Sequence, residues 1–130
     1  MKTNKMDSKK YKILVVDDSD NNLFLLEEIL LDFNYEVFTA NGGLEAVEVI
    51  RKEEPDLILL DIMMPDYSGY NVMEYMQENK IDTHVIVISA RTSKEDIAKA
   101  YELGAKFFIR KPLIITYVLD KIAEVLNIES

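Results

Sequence analysis

The chain has 130 residues, of which 48% are hydrophobic and 30% charged, and this composition predicts one folded domain and not a disordered segment. Its net charge of −9 makes direct binding to nucleic acid or to anionic membranes unfavourable, so bound cations and protein partners are expected instead. Because cysteine is absent, disulfides and thiol chemistry are excluded, and the composition is compatible with the reducing cytoplasm, where we expect the protein to act.

Residues 1–10 form a lysine-rich leader that we expect to be a disordered tail. They include four lysines and one aspartate, and they lack the apolar stretch of a signal peptide. No later stretch is apolar over the length that a membrane-spanning helix needs. We therefore assign residues 11–130 to a single folded domain.

Five short apolar runs predict the strands of this domain. Three of the runs, ILVV, LILL and VIVI, are apolar without interruption, and strands of this kind must be covered on both faces. In chain order the predicted strands are residues 12–16, 36–39, 56–60, 84–88 and 106–109. The runs therefore favour a parallel sheet between two layers of helices.

Apolar residues with helical spacing fill the intervals between the strands and the segment after the last one. Steps of three and four occur, in chain order, at Leu23, Leu26, Leu30 and Phe33; at Leu44 and Val47; at Met73 and Met76; at Ile97 and Tyr101; and at Ile115, Val118, Ile122 and Val125. We expect Asp20 to cap the first helix, Ser93 to cap the fourth, and Gly104 to end the fourth in a left-handed conformation. Alternating strands and helices predict a doubly wound α/β fold.

Four polar positions directly follow predicted strands. The pair Asp17 and Asp18 follows the first strand, Asp61 the third, Ser89 the fourth and Lys111 the fifth. The functional crevice of an open parallel sheet lies beyond the carboxyl ends of its strands, so these side chains are expected to converge. Each position alone is as readily a turn residue, a cap or an exposed lysine, but their shared location at strand ends favours a site.

Three converging carboxylates would repel one another, by about 3 kcal/mol for each pair at about 5 Å and an effective dielectric constant of about 20. A bound cation would relieve this repulsion, and oxygen ligands select Mg²⁺ or Mn²⁺. Mg²⁺ usually takes one or two carboxylates and completes its octahedron with water and phosphate oxygens. The cluster therefore predicts a Mg²⁺ site with room for a phosphoryl group, whose charge a lysine at the same edge would oppose.

Four segments resemble the signature blocks of bacterial two-component response-regulator receiver domains, the CheY-like family. In chain order they are ILVVDDSD, LILLDIMMPDYSG, VIVISA and GAKFFIRKP. The resemblance extends from Tyr11 to about Ile128. It implies a flavodoxin-like (βα)5 three-layer sandwich with a five-stranded parallel sheet in the strand order 2-1-3-4-5, the order known for this family.

The resemblance also implies a role for each acidic residue. Asp61 would be the nucleophile that takes a phosphoryl group from the phosphohistidine of a sensor histidine kinase or of a histidine phosphotransfer protein. Mg²⁺ would be held by Asp61, by Asp18, by Asp17 mainly through water, and by the backbone carbonyl of Met63. The protein would then be a signalling phosphoacceptor that assists its own phosphorylation and dephosphorylation, and would not be an enzyme.

Other positions that match the family concern the phosphoryl oxygens and the outgoing signal. Ser89 and the Lys111 ammonium would each bind one phosphoryl oxygen, and the Lys111–Pro112 bond, typically cis in the family, would direct the lysine inward. Ser89 and Phe108 would form the switch that alters the surface of helix 4, strand 5 and helix 5. A downstream protein target or an output domain would bind that surface, whereas direct contact with nucleic acid or membrane is not expected.

Two further features bear on the switch. The fourth helix carries few apolar anchors among its charged residues, so we expect it to be loosely held and able to move. Arg91 lies two positions beyond Ser89, where residues of this family influence access to the phosphoryl group. Tyr67 replaces a methionine that is common in the family.

Three alternative functions remain open at this point. A phosphatase or phosphotransferase of the haloacid-dehalogenase type would also use an aspartate nucleophile and Mg²⁺, but it expects an acid at the position of Met63. A flavodoxin would need a phosphate loop rich in hydroxyls and glycine where residues 17–20 carry three carboxylates. A degenerate receiver that only binds proteins would not require the complete set of site residues. The sequence is compatible both with a stand-alone receiver and with a piece of a longer regulator or hybrid kinase.

Overall fold

In the computed structural model, which describes residues 10–128, five strands alternate with five helices. The strands are β1 (Lys12–Val16), β2 (Glu36–Ala40), β3 (Leu57–Asp61), β4 (His84–Ser89) and β5 (Phe107–Arg110). The helices are α1 (Asp20–Asp32), α2 (Gly43–Glu53), α3 (Gly69–Glu78), α4 (Lys94–Glu102) and α5 (Ile115–Leu126). The tail predicted for residues 1–10 lies, apart from its last residue, outside the described part of the chain.

The strands form one parallel sheet in the order β2-β1-β3-β4-β5, so the predicted fold class and strand order are confirmed. Four of the five strands, β2 to β5, end one residue later than predicted, so Asp61 and Ser89 are the last residues of β3 and β4 and do not follow them. Asp61 is paired with Ile88, and Ser89 with Arg110. Backbone pairing does not depend on side-chain polarity, so each ladder continues one residue beyond its apolar run.

Each face of the sheet is covered by helices, as the uninterrupted apolar runs predict. Alternate residues of β1 point to opposite faces, so that Ile13 belongs to the buried cluster that includes α1 and α5, whereas Leu14 belongs to the one that includes α2, α3 and α4. All five residues of β3 are buried. The acidic residue that ends β3 is therefore carried by the central strand of the sheet, which is buried throughout its length.

Three residues that the helical spacing placed on the apolar faces are exposed. Phe33 is 58% exposed, Leu44 65% and Tyr101 46%. Phe33 caps the carboxyl end of α1 and so lies beyond its last turn, and Leu44 lies in the first turn of α2. Buried contacts are made in the middle of these helices, and the apolar pattern does not show where a helix leaves the sheet.

The helix ends confirm two predicted caps and correct a third. Ser93 caps α4, and Gly104, with φ of +108°, follows it in the conformation that favours glycine. Ser19, and not Asp20, caps α1: its hydroxyl accepts the backbone N–H of Asn22 at 3.3 Å, and Asp20 is the first helical residue. A carboxylate there still interacts favourably with the positive end of the helix dipole.

Within residues 10–128, no helix combines the length and the apolar character required to cross a membrane.

Candidate functional site

Three carboxylates meet at the carboxyl edge of the sheet. Oxygen atoms of Asp17, Asp18 and Asp61 all lie within 4.8 Å of one another. Asp17 is 1% exposed and Asp61 3% exposed, whereas Asp18 faces solvent. A cluster of oxygen ligands with one open side is the kind of site that a hard divalent cation such as Mg²⁺ prefers.

Backbone hydrogen bonds hold the site residues beyond the strand ends. The N–H of Asp17 donates to the Ala40 carbonyl at 3.2 Å, at the end of β2, and the N–H of Lys111 donates to the Ser89 carbonyl at 3.0 Å. The loops after β1 and β5 are thus fixed to neighbouring strands. This fixation brings side chains from distant parts of the chain to the same edge.

Lys111 supplies a positive charge inside the cluster. Its ammonium lies 2.9 Å from Asp61 Oδ2 and 3.1 Å from Asp17 Oδ2, and its side chain is 22% exposed. The carboxylates are therefore partly neutralised by the protein itself, which their spacing in the sequence did not reveal. Three carboxylates and one ammonium still carry a net negative charge when all are ionised, so a cation remains favourable.

The electrostatic environment shifts the pKa of both Asp61 and Lys111. Burial raises the pKa of the Asp61 carboxyl above its ordinary value, and the hydrogen bonds from Met63 and Lys111 only partly oppose this effect. Burial lowers the pKa of Lys111, but its hydrogen bonds to Asp61 and Asp17, together with the negative charges of both carboxylates, outweigh burial, so the pKa lies above its ordinary value. Lys111 is therefore a permanent cation at neutral pH.

Met63 and Ser89 complete the surroundings of Asp61. The backbone N–H of Met63 donates to Asp61 Oδ1 at 2.9 Å, while the Met63 side chain is 45% exposed. Ser89 is fully buried, and its hydroxyl oxygen accepts the backbone N–H of Arg91 at 3.0 Å. The structure therefore brings Asp17, Asp18, Asp61 and Lys111 into direct proximity, and it places the Ser89 hydroxyl against its own following loop.

A family model described as the response regulator receiver domain matches residues 13–123. The chain belongs to this family. The match excludes the flavodoxin and haloacid-dehalogenase alternatives, and the receiver domain is a component of two-component response regulators. A receiver-domain fold also agrees with the strand order described above.

Two relatives and one solved structure illustrate how far the similarity of the receiver domain extends. The chain is 40% identical over 107 residues to the probable transcriptional regulator ycf27 of Pyropia yezoensis, and the aligned segment covers 82% of this chain and 44% of that protein. The chain is 34% identical over 119 residues to sporulation initiation phosphotransferase F of Bacillus subtilis (strain 168), and here the aligned segment covers 92% of this chain and 96% of that protein. A chain of the CheX–CheY–BeF3–Mg²⁺ complex from Borrelia burgdorferi matches with a TM-score of 0.84 and 31% identity over 89% of both chains. The receiver domain thus spans less than half of the first relative and nearly all of the second.

Of the two predicted switch residues, Ser89 ends β4 and Phe108 lies on β5, and Pro112 lies in the loop that follows β5. Phe108 is half-buried, and its backbone N–H donates to the Tyr101 hydroxyl of α4 at 3.1 Å. The peptide bond between Lys111 and Pro112 is cis. A surface cavity of about 330 Å³ adjoins Phe108 and is bordered by Pro112, Ile114 and other residues of this segment.

The start of α4 is held by a polar network that the sequence analysis missed. Only Asp96 and Ala100 of α4 are buried, in agreement with its few apolar anchors. Asp96 nevertheless accepts hydrogen bonds from the Tyr70 hydroxyl at 2.8 Å and the Ser93 hydroxyl at 2.7 Å, and it pairs with Arg91 Nε at 3.3 Å. The first turn of α4 is therefore held more firmly than expected, and the loose attachment of the rest of the helix stays a prediction.

These contacts also shift the pKa values of the network. The hydrogen bond from Ser93, followed by that from Tyr70, lowers the pKa of Asp96. Burial and then the hydrogen bond to Asp96 raise the pKa of the Tyr70 hydroxyl, which stays protonated at neutral pH. The spacing of Ser93 and Asp96 resembles a capping box and could have indicated their contact, but no local signal connects them to Tyr70.

One contact of the acidic cluster also escaped the sequence analysis. The side-chain amide of Asn22, in the first turn of α1, donates to Asp17 Oδ2 at 3.2 Å. In the sequence, nothing distinguishes Asn22 from other polar residues near the start of a helix. Its contact becomes visible only when α1 is placed over the carboxyl end of β1.

Proposed function

We propose that the protein is a phosphoacceptor of a two-component system and that Asp61 takes the phosphoryl group from the phosphohistidine of a sensor histidine kinase or a histidine phosphotransfer protein. One observation carries the proposal. The Asp61 carboxylate is buried at the carboxyl end of the central strand, with Oδ1 bound by the Met63 N–H and Oδ2 by the Lys111 ammonium. A carboxylate held in one orientation is prepared for in-line attack on phosphorus.

In the proposed step, an Asp61 oxygen forms a bond to phosphorus while the bond between phosphorus and the imidazole nitrogen breaks. The electron pair of the broken bond remains on the leaving imidazole. Asp18, Asp61 and the backbone carbonyl of Met63 would hold Mg²⁺, or Mn²⁺, directly, and Asp17 would hold it mainly through water. The clustered carboxylates supply the oxygen ligands that either ion prefers. When bound, the metal supplies neutralisation of the charge on the carboxylates and the phosphoryl group. The protein would thus be a signalling phosphoacceptor and not an enzyme with a separate substrate.

Lys111 and Ser89 are proposed to bind the phosphoryl oxygens. The Lys111 ammonium already contacts the Asp61 oxygen at 2.9 Å, so a small rotation would bring it to an oxygen of a group attached there. The Ser89 oxygen currently accepts a hydrogen bond from Arg91, which leaves its own proton available for donation. Both residues would therefore stabilise the transferred charge without a rearrangement of the sheet.

The signal is proposed to leave through α4, β5 and α5. A phosphoryl group would add about −1.5 to −2 units of charge at Asp61 and draw Ser89 inward. Phe108 is half-buried beside α4 and adjoins a surface cavity, so it has space to change its position. The surface exposes Tyr101 and Tyr117, among other residues, to a downstream protein target or an output domain.

Labelling with a small phosphodonor tests the proposed chemistry. With ³²P-labelled acetyl phosphate and Mg²⁺, the protein is expected to incorporate up to one phosphoryl group per chain, and chelation of the metal should abolish incorporation. Asp61→Asn should not be labelled, because an amide does not attack phosphorus. Asp66→Asn is the matched control, since Asp66 is exposed and its φ of +69° suits asparagine. Equal labelling of wild type and Asp61→Asn, or none of either, would contradict the proposal.

Mg²⁺ is expected to stabilise the folded protein. A ligand that binds only the folded state, and whose free concentration is ten times its dissociation constant, adds about 1.4 kcal/mol to the free energy of unfolding. The melting temperature should therefore rise by about 3–6 °C in saturating Mg²⁺. Asp61→Asn should show a much smaller rise, whereas Asp66→Asn should respond like wild type. A wild-type melting temperature that is independent of Mg²⁺ would argue against the metal site.

A further inference from the structure

The side chain of Asp17 accepts hydrogen bonds from three donors, two at the start of α1 and one in the loop after β5. Its Oδ1 accepts the backbone N–H of Ser19 at 2.9 Å. Its Oδ2 accepts both the Lys111 ammonium at 3.1 Å and the side-chain amide of Asn22 at 3.2 Å. Asn22 therefore binds the acidic cluster through a neutral side chain and adds no charge to it.

Asn22 is held by its helix independently of this contact. Its backbone N–H donates to the Ser19 hydroxyl that caps α1, and α1 is anchored in the core by Leu23 and Leu26. The Asn22 side chain is half-buried, so its amide is partly withdrawn from water. A donor carried on the rigid first turn of a helix fixes its acceptor more accurately than a donor on a free loop does.

The two donors to Asp17 Oδ2 have different roles in the proposed reaction. Lys111 would turn toward an oxygen of the phosphoryl group and so weaken its bond to Asp17. Asn22 does not bind the phosphoryl group in this scheme, so it can keep its hydrogen bond to Asp17 during the transfer. Without Asn22, Asp17 would retain only the Ser19 N–H as a fixed donor at that stage and would be free to rotate.

We propose that Asn22 is a positioning residue for metal binding, which keeps the Asp17 carboxylate oriented toward Mg²⁺ when Lys111 engages the phosphoryl group. This inference rests on the proposed function, because it assumes that the acidic cluster holds Mg²⁺. Residues that hydrogen-bond a metal-ligating carboxylate commonly change metal affinity by about 10- to 100-fold when they are removed. Asn22 would act through Asp17 and would not touch the reacting atoms.

Isothermal titration with Mg²⁺ alone tests the inference without relying on phosphorylation. Asn22→Leu keeps the branched shape and the number of heavy atoms of the side chain and removes the amide donor, and it should weaken Mg²⁺ binding about tenfold. Asn21→Leu is the matched control, since Asn21 is its exposed neighbour in the same turn, and its Mg²⁺ affinity should stay within about twofold of wild type. Asn22→Ala repeats the test with a small, strongly helix-forming residue.

A double-mutant cycle separates positioning from a general structural effect. If Asn22 acts through Asp17, adding Asn22→Leu to Asp17→Asn should weaken Mg²⁺ binding no further than Asp17→Asn alone. Labelling by acetyl phosphate should likewise require more Mg²⁺ for half-maximal rate in Asn22→Leu, with the rate at saturating Mg²⁺ close to that of wild type.

Three outcomes would overturn the inference. Unchanged Mg²⁺ affinity in Asn22→Leu and Asn22→Ala would show that the amide does not position Asp17. A further loss of affinity on the Asp17→Asn background would show that Asn22 acts by another route. If wild type bound no Mg²⁺, the metal site of the proposed function would itself be wrong, whereas wild-type binding with no effect of Asn22 would overturn only the present inference.

Discussion

Replacing Lys111 with methionine is expected to destabilise the metal-free protein by about 2 kcal/mol and to slow phosphoryl uptake by about 100-fold. The variant leaves Asp17 and Asp61, which are 1% and 3% exposed, without their shared cation. Removing one partner of a fully buried ion pair costs about 3–5 kcal/mol, and the estimate is reduced because the Lys111 side chain is 22% exposed. Mg²⁺ should restore much of the stability, since it binds the same carboxylates.

The loss of stability in Lys111→Met should depend on pH. Burial already raises the pKa of Asp61, and the variant removes the hydrogen bond and the charge of Lys111 that oppose the shift. A folded-state pKa above the unfolded value means that protonation of Asp61 favours the folded state. The penalty is therefore fully present above the folded-state pKa and is lost as the pH falls through it.

Urea unfolding of Lys111→Met with and without Mg²⁺, repeated between neutral and acidic pH, measures these effects. Lys94→Met is the control, since Lys94 is exposed on α4 and should alter the free energy of unfolding by less than about 0.5 kcal/mol. Adding Asp61→Asn to Lys111→Met should recover stability, because one of the two uncompensated charges is gone. A variant as stable as wild type in the absence of metal at neutral pH would refute the assigned role of Lys111 in the resting cluster.

Gly69→Ala is expected to destabilise the protein by about 2–3 kcal/mol and to impair phosphoryl uptake at the same time. A Cβ atom at Gly69 would lie 2.6 Å from the backbone oxygen of Asp61 and 2.7 Å from the Cα of Ile62. Both are backbone atoms and cannot rotate away. Either α3 or the end of β3 must therefore move, and Asp61 moves with the latter.

Gly42→Ala is the matched control for this prediction. Nothing lies within 4 Å of a Cβ at Gly42, whose φ of −170° is available to any residue. Its free energy of unfolding should change by no more than about 1 kcal/mol, the typical cost of a poorer residue at a helix N-cap. Urea unfolding and acetyl phosphate labelling of both variants are the measurements. Wild-type stability and labelling in Gly69→Ala would show that α3 can withdraw without disturbing Asp61.

Most of the fold could be predicted from the order of apolar runs. Five runs of strand length and five stretches of helical spacing correspond to the five strands and five helices of the described chain. The strand order did not follow from the runs, because periodicity says which residues are buried but not which strands are neighbours. It came from the resemblance of the motifs to a family, and the sheet has that order.

The proposed site, like the fold, could be predicted from the sequence only in part. The positions of Asp17, Asp18, Asp61 and Lys111 at strand ends were determined by the sequence, because the carboxyl ends of parallel strands necessarily share one edge. The pairing of Lys111 with Asp17, 94 residues away, was decided by the tertiary structure. A hydrogen bond depends on distances of a few tenths of an ångström, which spacing along the chain does not specify.

The contacts of the first turn of α4 and of the Asn22 side chain were likewise decided by the tertiary structure. Tyr70 and Asp96 are 26 residues apart and meet because α3 and α4 pack on the same face of the sheet. Asn22 reaches Asp17 because α1 begins directly above the end of β1. The sequence by itself determined which chemical groups come to the edge of the sheet. Only the packing of helices on strands decided which of those groups touch, since contacts between distant segments depend on the relative placement of whole elements.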